Sequence, residues 1–118
     1  MYKQILTKKD IIAFNQGIGE KGEFNNEGSL DFSLSIAKTK QNWLYELSYL
    51  VRCLLVDHVF RDGNKRTCLL VIAYYFEENN KVFNREMIIQ TIRKIAAKNI
   101  ISPVIIMRLI NNVIREKN

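Results

Sequence analysis

The residues with the greatest capacity for chemistry lie in one short segment of the chain. It reads His58-Val59-Phe60-Arg61-Asp62-Gly63-Asn64-Lys65-Arg66-Thr67 and contains the single histidine of the sequence. An imidazole that titrates near neutral pH can accept a proton from an attacking hydroxyl, which makes His58 a candidate general base. Phosphate-group transfer needs such a base together with positioning and charge neutralisation. The segment therefore predicts a site for phosphate chemistry.

The second half of this segment is predicted to form an anion-binding nest. Gly63, Asn64, Lys65 and Arg66 stand where a loop enters a helix, and there the free backbone N–H groups and the helix dipole favour a phosphate. Gly63 permits a left-handed turn close to a ligand. Two cations in the first turn of a helix are electrostatically misplaced unless an anion is present. Asp62 is a suitable ligand for a Mg²⁺ ion that is also bound to substrate phosphates.

Each of these residues also has a structural interpretation, which the sequence leaves open. A lone histidine near a helix end often caps the helix dipole. Asp62-Gly63-Asn64 is an ordinary turn sequence, and Lys65-Arg66 can be a solvated first turn. Phe60 is interpreted as a core anchor that holds the loop in place.

The surrounding pattern predicts an all-α fold. One proline and five glycines in 118 residues favour long helices over a turn-rich β design. Apolar residues at spacings of three and four from Trp43 to Leu55, and then His58, predict one face of a long helix. The run Thr67 to Phe76 is apolar nearly all round, which indicates a helix from Lys65 to Phe76 buried on most sides. About six helices are expected to pack around this central helix.

Local signals place the remaining helices. Thr7 and Asp10 have the spacing of a capping box, and Ser102-Pro103 pairs an N-cap residue with a proline in the first turn. Asn84 is a plausible N-cap. The helices are expected at about Lys8–Gln16, Leu30–Lys38 and Asn84–Lys98, and from Ser102 onward. The glycine-rich stretch Gly17–Gly28 is expected to be a loop or a short hairpin.

Length and composition indicate one intracellular domain that covers residues 1–118. Apolar residues make up 47% and charged residues 25%, which is ordinary globular usage. No apolar run approaches the roughly 18 residues that a membrane span needs, and the N-terminus has no signal-peptide pattern. Cys53 and Cys68 lie in apolar segments, where reduced, buried thiols are expected. These features favour a cytoplasmic location and no membrane partner.

The net charge of +6 belongs entirely to the second half of the chain. Residues 61–118 contain eleven Lys/Arg and five Asp/Glu, whereas residues 1–60 contain seven of each. This asymmetry has two interpretations: either an anionic partner binds the second half of the chain, or the charges lie on helix faces that are simply solvated.

Residues 58–66 closely resemble the signature of the Fic/Doc family, His-x-Phe-x-Asp/Glu-Gly/Ala-Asn-Gly/Lys-Arg, and meet every fixed position. Leu6–Ile11, the glycine-rich stretch and Glu27–Asp31 are similar to the N-terminal part of the short death-on-curing, or Doc, members. The resemblance covers about residues 5–80. It implies a Fic/Doc-type helical domain with a glycine-rich flap.

The resemblance also implies roles for individual residues. His58 would be the general base and Asp62 the Mg²⁺ ligand, with ATP as the nucleotide. The phosphate-binding loop would comprise Gly63, Asn64, Lys65 and Arg66. The stretch Gly17–Ser29 would include a flap that aligns a target segment by backbone pairing.

Three departures from the Fic branch favour the Doc branch. Fic enzymes that transfer AMP usually have Pro, Gly and a second Arg where this chain has Val59, Lys65 and Leu69. In the Doc branch, the resemblance implies, ATP binds in a reversed orientation and its γ-phosphoryl group moves to a threonine of a translation elongation factor. The Lys65 side chain competes for the space in which the glycine-containing branch binds its phosphates. Because Leu69 replaces the second arginine, one end of the triphosphate also loses a binding partner. A Doc-type kinase of a protein Thr or Ser hydroxyl is therefore favoured over a Fic-type AMP transferase.

The chain lacks the inhibitory pattern Ser/Thr-x-x-x-Glu-Gly/Asn found in some Fic proteins. Glu27-Gly28 is preceded four positions earlier by Glu23, and Glu78-Asn79 by Tyr74. Inhibition in trans by a separate antitoxin is therefore expected, as in a toxin–antitoxin pair.

A third hypothesis is a non-enzymatic basic helical module that binds nucleic acid through the second half of the chain. Its phosphate-facing residues would be Arg93, Lys94, Lys98, Arg108 and Arg115. No aromatic-rich platform or base-reading motif supports it, so nucleic acid is not the expected substrate.

Overall fold

Six helices and two short strands form the regular structure of residues 6–39 and 42–116, the part of the chain that this computed structural model describes. In chain order they are α1 (Lys8–Gly17), α2 (Glu27–Thr39), α3 (Trp43–Leu55), α4 (Asn64–Glu78), β1 (Lys81–Phe83), α5 (Arg85–Lys98), α6 (Pro103–Asn111) and β2 (Ile114–Glu116). The all-α prediction is confirmed apart from the β1–β2 ribbon. Among these helices, none is both long and apolar enough to cross a lipid bilayer.

Side-chain caps fix where most of the helices begin. At the start of α1 the Thr7 amide donates to the Asp10 carboxylate at 2.9 Å, and the Asp10 amide donates to the Thr7 hydroxyl at 3.3 Å. Asn42, Asn84 and Ser102 cap α3, α5 and α6 by accepting hydrogen bonds from first-turn amides. The capping box and the caps at Asn84 and Ser102 are therefore confirmed. Each satisfies amides that no intrahelical carbonyl reaches.

The centre of the core is shared by α3 and α4. Helix α3 packs against α2, α4 and α6, and α4 packs against α1, α3, α5 and β1. The predicted apolar face of α3 is fully buried at Leu47, Leu50, Val51 and Leu54. Helix α4 buries the side that includes Val71, Ile72 and Phe76, while Leu69 and Leu70 on its other side are half-buried. The sequence predicted that the other helices pack around α4. Instead, α3 and α4 share the centre of the core, because the second apolar side of α4 borders surface clefts.

Two boundaries differ from the predicted ones by three residues, and the others agree to within two. Helix α2 begins at Glu27, three positions before the expected Leu30, because the Asn26 side chain accepts a hydrogen bond from the Ser29 amide at 3.3 Å and supports an earlier first turn. Helix α3 ends at Leu55, so it does not reach His58.

The β1–β2 ribbon was not predicted from the sequence. The strands are antiparallel, with Lys81 opposite Glu116, Val82 opposite Arg115 and Phe83 opposite Ile114. Strands of three residues are too short for an alternating apolar pattern to be recognised.

Cys53 and Cys68 are free thiols, and both are 0% exposed, as predicted. Burial raises the pKa of the Cys53 thiol to about 12 and raises the pKa of Cys68 as well. Both sulfurs therefore remain protonated and behave as apolar core groups at neutral pH.

Candidate active site

The loop between α3 and α4 carries the residues predicted to do chemistry. His58 lies in this loop with a φ of 52°, a left-handed conformation that side chains seldom adopt. The prediction that His58 extends the apolar face of α3 is therefore wrong. The turn is stabilised by two side-chain amides: Asn25 Nδ2 donates to the His58 carbonyl at 3.0 Å, and Asn26 Nδ2 donates to the Asp57 carbonyl at 3.3 Å. The His58 side chain is exposed as a result.

Gly63 is the N-cap residue of α4 and has a conformation that glycine adopts most easily. Its φ is +78°, and a Cβ at this position would lie 2.6 Å from Glu20 Cγ and 3.0 Å from Ile18 Cδ1. Gly63 provides no side-chain cap, and the first turn of α4 contains no acidic residue. The first intrahelical bond joins the Thr67 amide to the Gly63 carbonyl at 2.9 Å. The amides of residues 64–66 therefore lie at an uncapped helix end, with the positive end of the dipole behind them.

Asn64 fixes the shape of the loop through its side chain. Asn64 Nδ2 donates to the Phe60 carbonyl at 2.8 Å, and Asn64 Oδ1 accepts from the Phe60 amide at 3.0 Å. Both polar groups of the side chain thus serve the main chain of Phe60. In a phosphate-binding role, Asn64 would contribute its backbone amide.

Phe60 holds the loop against the core. It is 1% exposed, and its ring stacks on that of Phe24 with the centroids 5.4 Å apart and an interplanar angle of 12°. The main chains of the two residues also form an isolated antiparallel β-bridge. This packing fits the anchoring role expected for Phe60.

The end of the glycine-rich stretch lies beside the loop. The amides of Asn25 and Asn26 both donate to the Val59 carbonyl, at 2.8 and 3.0 Å, and the Arg61 amide donates to the Glu23 carbonyl at 3.0 Å. Residues 18–26 are irregular, as predicted, whereas Gly17 belongs to α1 and Gly28 to α2. Residues 23–26 pair with residues 59–61, whereas a hairpin would require them to pair within the stretch.

Asn15 on α1 joins three parts of the site and was not predicted from the sequence. Asn15 is 1% exposed. Its Nδ2 donates to the Asp62 carbonyl at 2.9 Å and to Thr67 Oγ1 at 3.1 Å, and its Oδ1 accepts from the Gly22 amide at 2.8 Å. The one signal for it in the sequence is its place four positions after Ile11, on the core-facing side of α1.

A cleft of about 660 Å³ opens over the loop and brings the predicted polar residues together. Its volume is typical of a small-molecule site. Helix α3 contributes Leu54 and Leu55 to the wall, and α5 contributes Ala96 and Ala97. Phe60 does not line the cleft. The predicted site residues that line it are His58, Asp62, Gly63, Asn64, Lys65 and Arg66.

The charged side chains of the cleft are available to a ligand. Asp62, Lys65 and Arg66 are exposed, and their charged groups form no hydrogen bond or ion pair with another residue of the described ranges. Two further charged residues, Glu20 and Arg61, line the cleft and were not predicted from the sequence. Arg61 occupies a variable position of the motif, and Glu20 comes from the glycine-rich stretch.

The carboxylates of the cleft suit a magnesium ion carried by phosphates. Mg²⁺ typically takes one or two protein carboxylates and fills its other positions with water and substrate oxygens. Asp62 supplies one carboxylate, and Glu20 lines the same cleft. Within residues 6–39 and 42–116, no group of three or more His, Cys, Asp or Glu side chains is arranged to hold a metal.

The cleft thus combines an exposed imidazole, a carboxylate, two unpaired cations and an uncapped helix N-terminus. Such a set can hold a polyphosphate and remove a proton from a hydroxyl beside it. No family model, curated protein or solved structure matches the chain.

Proposed function

We propose that this protein is a Fic/Doc-type transferase of the Doc branch, which moves the γ-phosphoryl group of ATP to a Thr or Ser hydroxyl of a target protein. One observation carries the proposal. His58, Asp62, Lys65 and Arg66 line a single cleft at the uncapped N-terminus of α4. The resemblance of residues 58–66 to the family signature assigns each of them a role in that chemistry.

In this proposal the triphosphate binds at the start of α4. The amides of residues 64–66 donate to phosphate oxygens, and Arg66 can grip two oxygens at once. Lys65 adds a second positive charge. Asp62 would hold a Mg²⁺ ion, which when bound neutralises charge on the phosphates.

His58 then acts as the general base. The target hydroxyl transfers its proton to the imidazole while its oxygen forms a bond to the γ-phosphorus. The bond from that phosphorus to the β,γ-bridging oxygen breaks, and ADP leaves. The positive φ of His58 and its position in the loop, beyond the end of α3, leave the imidazole exposed at the cleft, where a protein hydroxyl can approach it.

Two features favour γ-phosphoryl transfer over AMP transfer. Lys65 stands in the cleft where the AMP-transferring branch has glycine, so a charged side chain occupies part of the phosphate nest. Leu69 replaces the second arginine, and an apolar side chain offers no grip on the far end of a triphosphate.

The expected target is a translation elongation factor or a similar protein, and the expected inhibitor is an antitoxin that acts in trans. Both follow from the resemblance, as does the role of the stretch Gly17–Ser29 in aligning the target. The pairing of residues 23–26 with residues 59–61 supports this role, because it holds the stretch beside the cleft, which Glu20 of the stretch lines.

A labelling experiment tests the proposal. The purified chain is incubated with a cell-free translation extract and Mg²⁺·ATP that carries label at either the γ or the α phosphate. We expect protein-bound label from the γ position only, and an elongation factor of increased mass by mass spectrometry. Label from the α position would overturn the proposal in favour of an AMP transferase. Absence of label from both positions, with ATP binding also absent by calorimetry, would reject both enzymes.

Matched variants assign the activity to the cleft. His58→Ala should reduce labelling by about a thousandfold because the base is lost. Lys65→Ala should reduce it strongly, whereas Lys94→Ala, an exposed lysine on α5 outside the cleft, should leave it unchanged. Labelling that survives in His58→Ala would contradict the assigned chemistry.

A further inference from the structure

The segment that joins the glycine-rich stretch to α2 holds the main chain on both sides of His58. The side-chain amide of Asn26 donates to the Asp57 carbonyl at 3.3 Å, and that of Asn25 donates to the His58 carbonyl at 3.0 Å. The main-chain amides of the same two asparagines donate to the Val59 carbonyl at 2.8 and 3.0 Å. Three consecutive carbonyls of the loop therefore accept hydrogen bonds from one short segment.

A fifth hydrogen bond comes from Ser29 in the first turn of α2. Its hydroxyl donates to Asp57 Oδ2 at 2.6 Å, and both residues are half-buried. A hydroxyl that donates to a carboxylate makes a charge-assisted hydrogen bond, which is stronger than one between neutral groups. The positive end of the α2 dipole also favours a carboxylate at this position. Asp57 is therefore attached to residues 25–29 through its side chain as well as its carbonyl.

These contacts oppose the conformation that the local sequence favours. The apolar spacing of α3 continues from Leu55 to His58, as it would in a longer helix. His58 instead has a φ of 52°, which is unfavourable for a residue with a side chain. A continued α3 would give the Cα–Cβ bond of His58 a different direction and would move the imidazole. The observed position of the ring therefore depends on contacts from outside α3.

We propose that Asn25 and Ser29 are positioning residues for His58. Neither lines the cleft, so both act through the main chain of residues 57–59. The proposal rests on the proposed function, since it takes His58 as the general base. Proton transfer requires the imidazole within hydrogen-bond reach of the target hydroxyl, and a displacement of about 1 Å can cost about a hundredfold in rate. The phosphate site at the start of α4 makes no use of these contacts, so they should affect kcat and not the KM for ATP.

Steady-state phosphoryl transfer by single variants tests the proposal. Ser29→Ala removes the hydroxyl, and Asn25→Asp keeps the size of the side chain but replaces the amide donor with an acceptor. Each should lower kcat by about tenfold or more, while the KM for ATP stays within about twofold. Ser29→Thr retains a hydroxyl and should keep kcat within about threefold of the parent value.

Ser35→Ala is the matched control. Ser35 is an exposed serine on α2, and its hydroxyl donates to the Phe32 carbonyl of the same helix at 2.7 Å. Its loss should leave both kcat and KM unchanged. Circular dichroism establishes that each variant is folded at the assay temperature.

The single histidine of the chain offers a readout that does not depend on activity. In untagged protein, the two carbon-bound ring protons of His58 are the only imidazole signals in the NMR spectrum. We expect them to shift or split in Ser29→Ala and Asn25→Asp, because the ring no longer occupies one position. Ser35→Ala should reproduce the spectrum of the parent chain.

The two readouts separate this proposal from the proposed function. Histidine signals that are unchanged in both variants would overturn the positioning roles, whether or not the parent chain is active. A loss of kcat that Ser29→Thr fails to restore, or that comes with an equal rise in KM, would overturn them as well. Changed histidine signals without phosphoryl transfer by the parent chain would support the positioning roles and reject the proposed activity.

Discussion

The side-chain amide of Asn15 donates to the main-chain carbonyl of Asp62 at 2.9 Å, so α1 is tied directly to the loop that carries the candidate site. The same nitrogen also reaches Thr67 Oγ1 at 3.1 Å, in the first turns of α4. A carbonyl in a turn that lacks such a donor depends on water for its hydrogen bond, and its position is then less well defined. The position of Asp62 therefore depends on a residue 47 positions away in the sequence.

Asn15→Ala is expected to destabilise the protein. The substitution removes the buried hydrogen bond to Thr67 Oγ1 and the part-buried bonds to the Asp62 carbonyl and the Gly22 amide. We expect a loss of about 2 kcal/mol in the free energy of unfolding. Urea unfolding followed by circular dichroism measures the change. Asn111→Ala, at an exposed position on α6, is the control and should change stability by less than about 0.5 kcal/mol. A loss in Asn15→Ala no larger than in the control would show that Asn15 does not hold the site together.

The left-handed conformation of His58 is expected to lower the free energy of unfolding, although the imidazole is needed for activity. Its φ of 52° is unfavourable for a residue with a side chain, and the side chain is exposed. His58→Gly should therefore raise the free energy of unfolding by about 0.5–1 kcal/mol while it abolishes phosphoryl transfer. Asn99 has a φ of 51° at the C-cap of α5, so Asn99→Gly is a control that should keep full activity. A lower free energy of unfolding in His58→Gly would show that the side chain stabilises the fold by more than its backbone conformation costs.

Gly63 is expected to tolerate substitution poorly. An alanine there must adopt a φ of +78° and place its Cβ against Glu20, Ile18 and Asn15, which should cost about 1–2 kcal/mol. Gly28 in the first turn of α2 has no such constraint: its Cβ would meet only Asn26 Oδ1, at 4.0 Å. Gly28→Ala should therefore be neutral or stabilising by up to about 0.5 kcal/mol. Thermal unfolding of the two variants side by side provides the comparison, and equal midpoints would contradict it.

The buried thiols are expected to weaken the fold at alkaline pH. Burial raises the pKa of Cys53 from 9.0 to about 12, so between these values the folded chain keeps a proton that the unfolded chain has lost. The corresponding stability is fully present below about pH 9 and is lost as the pH rises toward 12. The expected slope from this thiol is at most about 1.4 kcal/mol per pH unit. Urea unfolding at a series of pH values measures it.

Cys53→Ala should reduce that slope, and a slope unchanged in this variant would contradict the assignment. An independent check is the reactivity of the thiols toward an aromatic disulfide reagent. At pH 8, Cys53 and Cys68 should react only in unfolded protein, because both are 0% exposed.

Sequence signals that act over three or four residues predicted the structure well. The capping box of Thr7 and Asp10 and the Ser102-Pro103 start of α6 are contacts between close neighbours, so the residues alone specify them. The polar residues of the candidate site are also contiguous. A single loop therefore brings His58, Asp62 and Lys65 to one cleft, without any need to predict the packing of distant elements.

Features that depend on distant contacts were missed or misplaced. The side-chain amides of Asn25 and Asn26 stabilise the turn at His58. The spacing of three residues between Leu55 and His58 resembles that of a continued helix, although α3 has already ended. Asn15 makes all three of its side-chain bonds outside α1, so its own helix gives little sign of its role.

Lys65 and Arg66 lie in the first turn of α4, which contains no acidic residue to offset their charge and the positive end of the dipole. Folding brings these positive charges together, so a multivalent anion that binds there stabilises the native state. The stability of the protein therefore depends on which anion the buffer contains. Melting temperatures recorded in sulfate should exceed those recorded in chloride of equal ionic strength, and storage in such salts should prolong the lifetime of the purified chain.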